Sequence, residues 1–214
     1  MGIQERKGRE RERRRQQIMV AAKTVFHRNG FNKATMEDIA REAELSPGTL
    51  YLYFKNKNEL YASLSLRILQ YLLIRLEEVR SKEKVTARKR FGLLKEAIYD
   101  VYEFDPPMFI KMFHFQSSEI YESLTTELKN DIRELSTQAR DAIAALFQEG
   151  IDAHVFINEK SSVLAEMIWA FFSGIVLLEE NKKALDGRNN DLKRNLKSAF
   201  EIFFRGISKD NQSP

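Results

Sequence analysis

The sequence predicts an all-α protein, and three observations carry that expectation. Apolar residues recur at helical spacing along most of the chain, and no stretch sustains the two-residue alternation of a half-buried strand. The four prolines, Pro47, Pro106, Pro107 and Pro214, stand where a helix begins or at the last position. A chain of 214 residues has room for one substantial core or two small ones, and 43% apolar with 31% charged residues is a soluble globular composition.

The first helix is expected to begin within the charged N-terminal arm and to run to about Asn29, with Gly30 as its C-cap. Ile18, Ala22, Val25 and Phe26 form its apolar stripe. Thr35, followed three residues later by Asp38, reads as a capping box that opens a second helix buried through Met36, Ile39, Ala40 and Ala43. After a three-residue break, Ser46 is an N-cap with Pro47 at the first helical position of a short third helix ending near Phe54. Asn56 caps a long fourth helix carrying Leu60, Leu64, Ile68, Leu72 and Leu76. Further helices are expected at about 87–104, 107–121, 124–150, 160–182 and 189–207. The expected organisation is a basic arm at 1–15, a helix-turn-helix domain at 16–60 whose fourth helix continues to about 80, and a helical domain at 81–214.

There is no cysteine, which excludes disulfides and thiolate metal sites and suits a reducing cytoplasm. Gly8 to Gln17 is almost entirely charged or polar, so no secretory signal is expected. The apolar run from Ala170 to Leu178, broken by Ser173 and Gly174, reads as too short for a membrane span. A cytoplasmic protein with no membrane partner is expected. Net charge is +4, but residues 1–60 carry 13 Lys/Arg against 8 Asp/Glu while residues 61–214 carry 22 against 23. The positive excess therefore lies at the N-terminus, which suggests a polyanion partner for that part alone.

The third helix has an unusual face. Leu50 and Phe54 point inward, which leaves Pro47, Gly48, Thr49, Tyr51 and Tyr53 outward. Tyrosine hydroxyls can donate to phosphate oxygens, and small residues let a helix N-terminus approach base edges. Lys57 and Thr35 are further phosphate candidates. The arm holds Arg6, Lys7, Arg9, Arg11, Arg13, Arg14 and Arg15, diluted by Glu5, Glu10 and Glu12, and suits phosphates or a narrow minor groove.

Within Ile18 to Leu60, the stretches AAKTVFHRNGF and ATMEDIAREAELSPGTLYLYFKNKNEL resemble the DNA-binding domain of TetR-family (tetracycline-repressor-like) transcriptional regulators. The resemblance implies an all-helical homodimer of about nine helices that holds a palindromic operator and is released from it by a small-molecule effector. By position, Thr35, Ser46, Tyr51, Tyr53 and Lys57 resemble the family's phosphate contacts, and Pro47, Gly48 and Thr49 its base-facing positions. Glu44 stands where the family usually has a turn glycine, and left-handed geometry there costs on the order of 1 kcal/mol.

Eighteen of the 23 aromatic residues follow residue 60, which predicts a bulky aromatic core. The last two helices carry more apolar surface than one core needs, so a two-fold dimer is expected through Met167, Phe171, Ile175, Leu196, Phe200, Phe203 and Phe204. Tyr102, Phe109, Met112, Phe113, Trp169 and Phe172 are candidates for an apolar or aromatic effector pocket, with Tyr102, His114 or Trp169 as polar contacts. No residue pattern calls for a cofactor or metal. There is no phosphate loop or metal-binding histidine pair, and the three histidines are scattered. A helical interaction module without a ligand, or a carboxylate-based enzyme, remains as an alternative class.

Overall fold

The structure, a computed structural model, describes residues 2–115, 119–186 and 191–209. Among the described residues it has ten helices and a single isolated antiparallel bridge, between Phe156 and Ser208. The chain forms two compact units, one of residues 1–67 with 114–131 and the other of residues 68–113 with 132–214.

The first unit contains α1 (Ile3–Lys33), α2 (Met36–Glu42), α3 (Pro47–Tyr51), the start of α4 (Lys57–Arg80), α7 (Glu119–Glu122) and the first turn of α8 (Thr126–Asp152). The α1 stripe is buried as its spacing requires, with Ile18, Ala22 and Val25 fully covered beside Ile39, Leu50 and Leu60. Gly30, at φ 73°, interrupts α1, and the chain then makes one more turn to Lys33. Phe26, Phe31 and Tyr61 close this core, both phenylalanines meeting Tyr61 edge to face and each other at a tilt, with centroids 4.8–5.5 Å apart. The charged arm is helical from Ile3 onward.

The turn after α2 is a Schellman motif. Leu45 N–H donates to Ala40 O at 2.8 Å, Glu44 N–H donates to Arg41 O at 3.1 Å, and Glu44 has φ 54°. The left-handed geometry expected at this non-glycine position is thus present. Glu44→Gly relieves that strain and gives back part of the gain as backbone entropy, so a net stabilisation of about 0.5–1 kcal/mol is expected. A rise in the urea midpoint at constant m-value checks it, and a fall would show that the side chain, not the backbone, governs the turn.

The second unit holds the rest of α4, α5 (Ala87–Phe104), most of α6 (Pro106–Phe115), the rest of α8, α9 (Ser161–Asp186) and α10 (Leu192–Ile207). Asp105 caps α6 by accepting from Met108 N–H at 3.2 Å, which frees Pro106 to begin the helix. Arg90 donates to the carbonyls of Val79, Arg80 and Lys82 at 2.8–3.1 Å, closing the C-terminus of α4.

Several expectations are corrected here. The third helix ends at Tyr51 rather than near Phe54, because Leu52 and Tyr53 N–H groups make three-residue turns back to Thr49 and Leu50. Leu196, Phe200, Phe203 and Phe204, expected at a dimer contact, are buried within the chain. Phe91 meets Phe200, Phe203 and Phe204 at 5.2–6.1 Å, so the stripe of α10 faces α5 and α8. The apolar segment of α9 is also longer than expected. Ser173 and Gly174 do not interrupt the helix, and Ser161–Lys183 is long and apolar enough to cross a membrane by length and composition.

Glu179 on α9 is buried and accepts from Lys182 Nζ at 2.7 Å, Asn195 Nδ2 at 2.8 Å and Asp191 N–H at 3.3 Å. It ties α9 to the start of α10. The Lys182 hydrogen bond, with Asn195 and Asp191, holds its carboxyl below the usual value against the upward push of burial. A depressed folded-state pKa adds stability that is fully present above the unfolded value, about 4.3, and is lost as pH falls. The urea midpoint should therefore decline below about pH 5, and less steeply in Glu179→Gln. Parallel pH profiles would exclude Glu179 as the source.

Candidate nucleic-acid interface

The face around α3 is built by capping. Thr35 Oγ1 accepts from Asp38 N–H at 3.1 Å and donates to Asp38 Oδ2 at 2.8 Å, while Thr35 N–H donates to the same carboxylate at 3.3 Å. Chiefly through the Thr35 hydroxyl hydrogen bond, the Asp38 carboxyl lies below its ordinary range. Ser46 Oγ accepts from Thr49 N–H at 3.1 Å and lies 2.8 Å from Thr49 Oγ1. Both caps leave their residues exposed at the starts of α2 and α3.

Leu50 and Phe54 are buried, and they fix the opposite side of α3 outward. Pro47, Gly48 and Tyr51 are exposed, while Thr49 and Tyr53 are half-buried. A side chain at Gly48 would meet only Ser46 Oγ, at 3.9 Å, so the helix start is bare. Thr35, Ser46, Pro47, Gly48, Thr49, Tyr51 and Tyr53 thus lie at the starts of α2 and α3 or along α3 and its following turn. Leu52, 76% exposed, belongs to the same surface and is absent from the sequence reading. Leu52 stands two positions from both Leu50 and Phe54, which puts it opposite the inward side, and that spacing is the available signal.

Two cations expected on this surface have internal partners. Lys57 Nζ donates to the carbonyls of Phe31, Asn32 and Ala34 at 3.1–3.2 Å and stands 4.8 Å from the Phe31 ring centroid. Its three donors close the end of α1, and a phosphate would have to replace one of these carbonyls. Arg15, counted with the arm, donates to Ser63 Oγ at 3.1 Å and covers the Phe54 ring at 4.5 Å. By contrast, Arg6, Lys7 and Arg11 on the helical arm border a recess of about 510 Å³ with Leu52 and Tyr53. The arm cations, with Glu10 among them, thus border the turn that follows α3.

In the second unit Tyr102, Phe109, Trp169 and Phe172 come together. Phe109 lies 6.0 Å from Tyr102, 6.3 Å from Trp169 and 5.4 Å from Phe172. Tyr102, Phe109, Met112 and Phe172 are buried and Trp169 is half-buried. The Phe113 and His114 side chains lie outside the described residues. On α9, Met167 and Phe171 are exposed and Ile175 is half-buried. Among the described residues, no group of three or more His, Asp or Glu could hold a metal ion.

A short capped helix, braced by two longer ones, with a bare N-terminus and with cations bordering the turn after it, defines a helix-turn-helix DNA-binding protein. Residues 18–64 match the family described as bacterial regulatory proteins, tetR family. Through this segment the chain is similar to TetR-family transcriptional regulators. It is 28% identical over 138 residues to the fatty acid metabolism regulator protein of Bacillus subtilis, covering 64% of this chain and 68% of that one. It is 27% identical over 196 residues to the HTH-type transcriptional regulator QacR of Staphylococcus aureus, covering 90% and 97%. The crystal structure of FadR from Bacillus subtilis in complex with stearoyl-CoA superposes with a TM-score of 0.66 at 24% identity, over 90% of this chain and 98% of that one.

Proposed function

We propose that this protein is a cytoplasmic, homodimeric repressor that binds a palindromic operator and leaves it when a small-molecule effector binds the second unit. The observation that carries the reading is the bare, capped start of α3, which Leu50 and Phe54 hold outward. Ser46, Thr35, Tyr51 and Tyr53 are assigned to phosphates, and Pro47, Gly48 and Thr49 to base edges. Lys57 is assigned a phosphate only in exchange for one of its carbonyl partners. The relatives support a regulator tuned by a ligand: one is named for fatty acid metabolism and a solved neighbour carries stearoyl-CoA.

Dimerisation rests on α9. Met167, Phe171 and Leu178 are exposed at near-heptad spacing, and Ile202 of α10 is 64% exposed. The contact so assigned uses Met167, Phe171 and Ile175 with Ile202, in place of the buried α10 stripe. The effector is assigned to the aromatic cluster of Tyr102, Phe109, Met112, Trp169 and Phe172, whose make-up suits an apolar or aromatic compound. α4 contributes residues to both units, and an effector that favours one state of this helix shifts the population that binds operator. A tenfold change in operator affinity needs about 1.4 kcal/mol of coupling.

The test is binding of the full chain to DNA from its own upstream region at several salt concentrations, with and without residues 1–12. Specific binding should persist against competitor DNA, and removing the arm should flatten the salt dependence. Loss of all sequence preference would overturn the regulator reading, and an unchanged slope would remove the arm from the interface.

A further inference from the structure

α5 and α10 leave a groove between them in the second unit. Its wide end, about 560 Å³, lies among Arg88, Gly92, Lys95 and Arg205 over a floor of Phe91 and Phe204. Lys95 and Phe200 also line a narrower recess of about 90 Å³, walled by Tyr99, Phe172 and Leu196. That is smaller than the roughly 150 Å³ known to hold benzene, so it admits only the end of an unbranched aliphatic chain.

Charge runs one way along this groove. Arg88 and Lys95 stand on α5, and Lys193, Lys197 and Arg205 on α10, against only Glu96 and Glu201. These seven side chains sum to +3, whereas residues 61–214 as a whole sum to −1. Arg88 lies 5.0 Å over the Phe204 ring and Lys193 lies 5.2 Å over Tyr99, so two cations are seated on the aromatic floor. A side chain at Gly92 would meet nothing within 4 Å, which keeps the α5 wall open. Lys193 and Lys197 stand roughly 180° and 140° around α10 from Ile202 and Arg205 about 60° from it, so a dimer through Ile202 leaves the narrow end of the groove free and passes beside Arg205.

We propose that the groove binds a small anionic amphiphile. Its phosphate or carboxylate head lies among Arg88, Lys95 and Arg205, and its short apolar tail enters the recess against Phe200 and Leu196. An occupant of the recess touches Phe172, which also packs on Phe109 and Trp169 at 5.4 and 5.8 Å. The site thereby reaches the interior aromatic cluster from outside, and its occupancy is independent of whether the protein binds DNA.

Calorimetric titration of the full chain, without DNA, tests this with hexyl phosphate, inorganic phosphate and hexanol. Hexyl phosphate should bind at least tenfold more tightly than either of the others. Gly92→Leu, which fills open space, should abolish binding. The pair Arg88→Gln and Arg205→Gln should weaken it at least tenfold, with a fall in melting temperature of no more than a few degrees from the lost Arg88 contact with Phe204. Equal affinity for inorganic phosphate or hexanol, or indifference to both sets of substitutions, would overturn the proposal. So would co-sedimentation with anionic phospholipid vesicles with no binding of free hexyl phosphate.

Discussion

Gly48→Glu should lower operator affinity at least about 100-fold while leaving the protein as stable as before. Gly48 is exposed at the second position of α3, and a Cβ there meets nothing closer than Ser46 Oγ at 3.9 Å. Glutamate is the better helix former by about half a kcal/mol, and a carboxylate in the first turn suits the helix dipole. The folded chain has no reason to object. Bound DNA does, because the new carboxylate stands where the bare helix start would meet base edges and phosphates. A 100-fold loss is about 2.7 kcal/mol, within reach of one unpaired or repelled charge in a desolvated contact. Gly48→Ala separates bulk from charge and should cost operator affinity less. Fluorescence anisotropy with labelled operator, beside a thermal melt, reads both quantities. Undiminished operator affinity in Gly48→Glu would show that α3 does not read DNA.

Gly150→Ala should destabilise the protein by about 2–3 kcal/mol, although alanine is the better helix former by about 1 kcal/mol. A methyl at this position in α8 would overlap Cδ2 and Cε2 of Phe156. That ring cannot simply move aside. Phe156 is 2% exposed, it packs on Phe147 and Phe204 at 6.1 and 5.8 Å, and its N–H is bonded to Gly150 O at 3.1 Å. The Val155 N–H shares the same carbonyl at 3.0 Å, so the backbone that delivers the ring is anchored on the glycine itself. Overpacking against a fixed aromatic outweighs the propensity gain, and the melting temperature should fall by about 5–10 °C. Phe156→Leu placed in the Gly150→Ala background should recover part of the loss. A melting temperature at or above that of the parent would mean the ring relaxes freely.

The first unit was largely legible because its signals are local. Thr35 with Asp38, and Ser46 before Pro47, each satisfy helix-end N–H groups within three residues, and those hydrogen bonds are present. The left-handed Glu44 was legible only through the family resemblance, which places a glycine there. The second unit was legible as helices but less so as contacts. A hydrophobic stripe shows that a helix has a covered face and says nothing about what covers it.

What the sequence by itself determined, then, is where the capped helices α2 and α3 start and that Pro47, Gly48 and Tyr51 lie outward. The tertiary structure decided the rest, because it depends on partners far away along the chain. It seated Lys57 on the carbonyls ending α1 and Arg15 on Phe54 and Ser63, removing two cations from the outer surface. It turned the α10 stripe onto Phe91 and left Met167, Phe171 and Leu178 of α9 uncovered. It also brought Arg88 and Lys95 of α5 to the same groove as Lys197 and Arg205 of α10, a gathering of like charges from distant parts of the chain that no local pattern encodes.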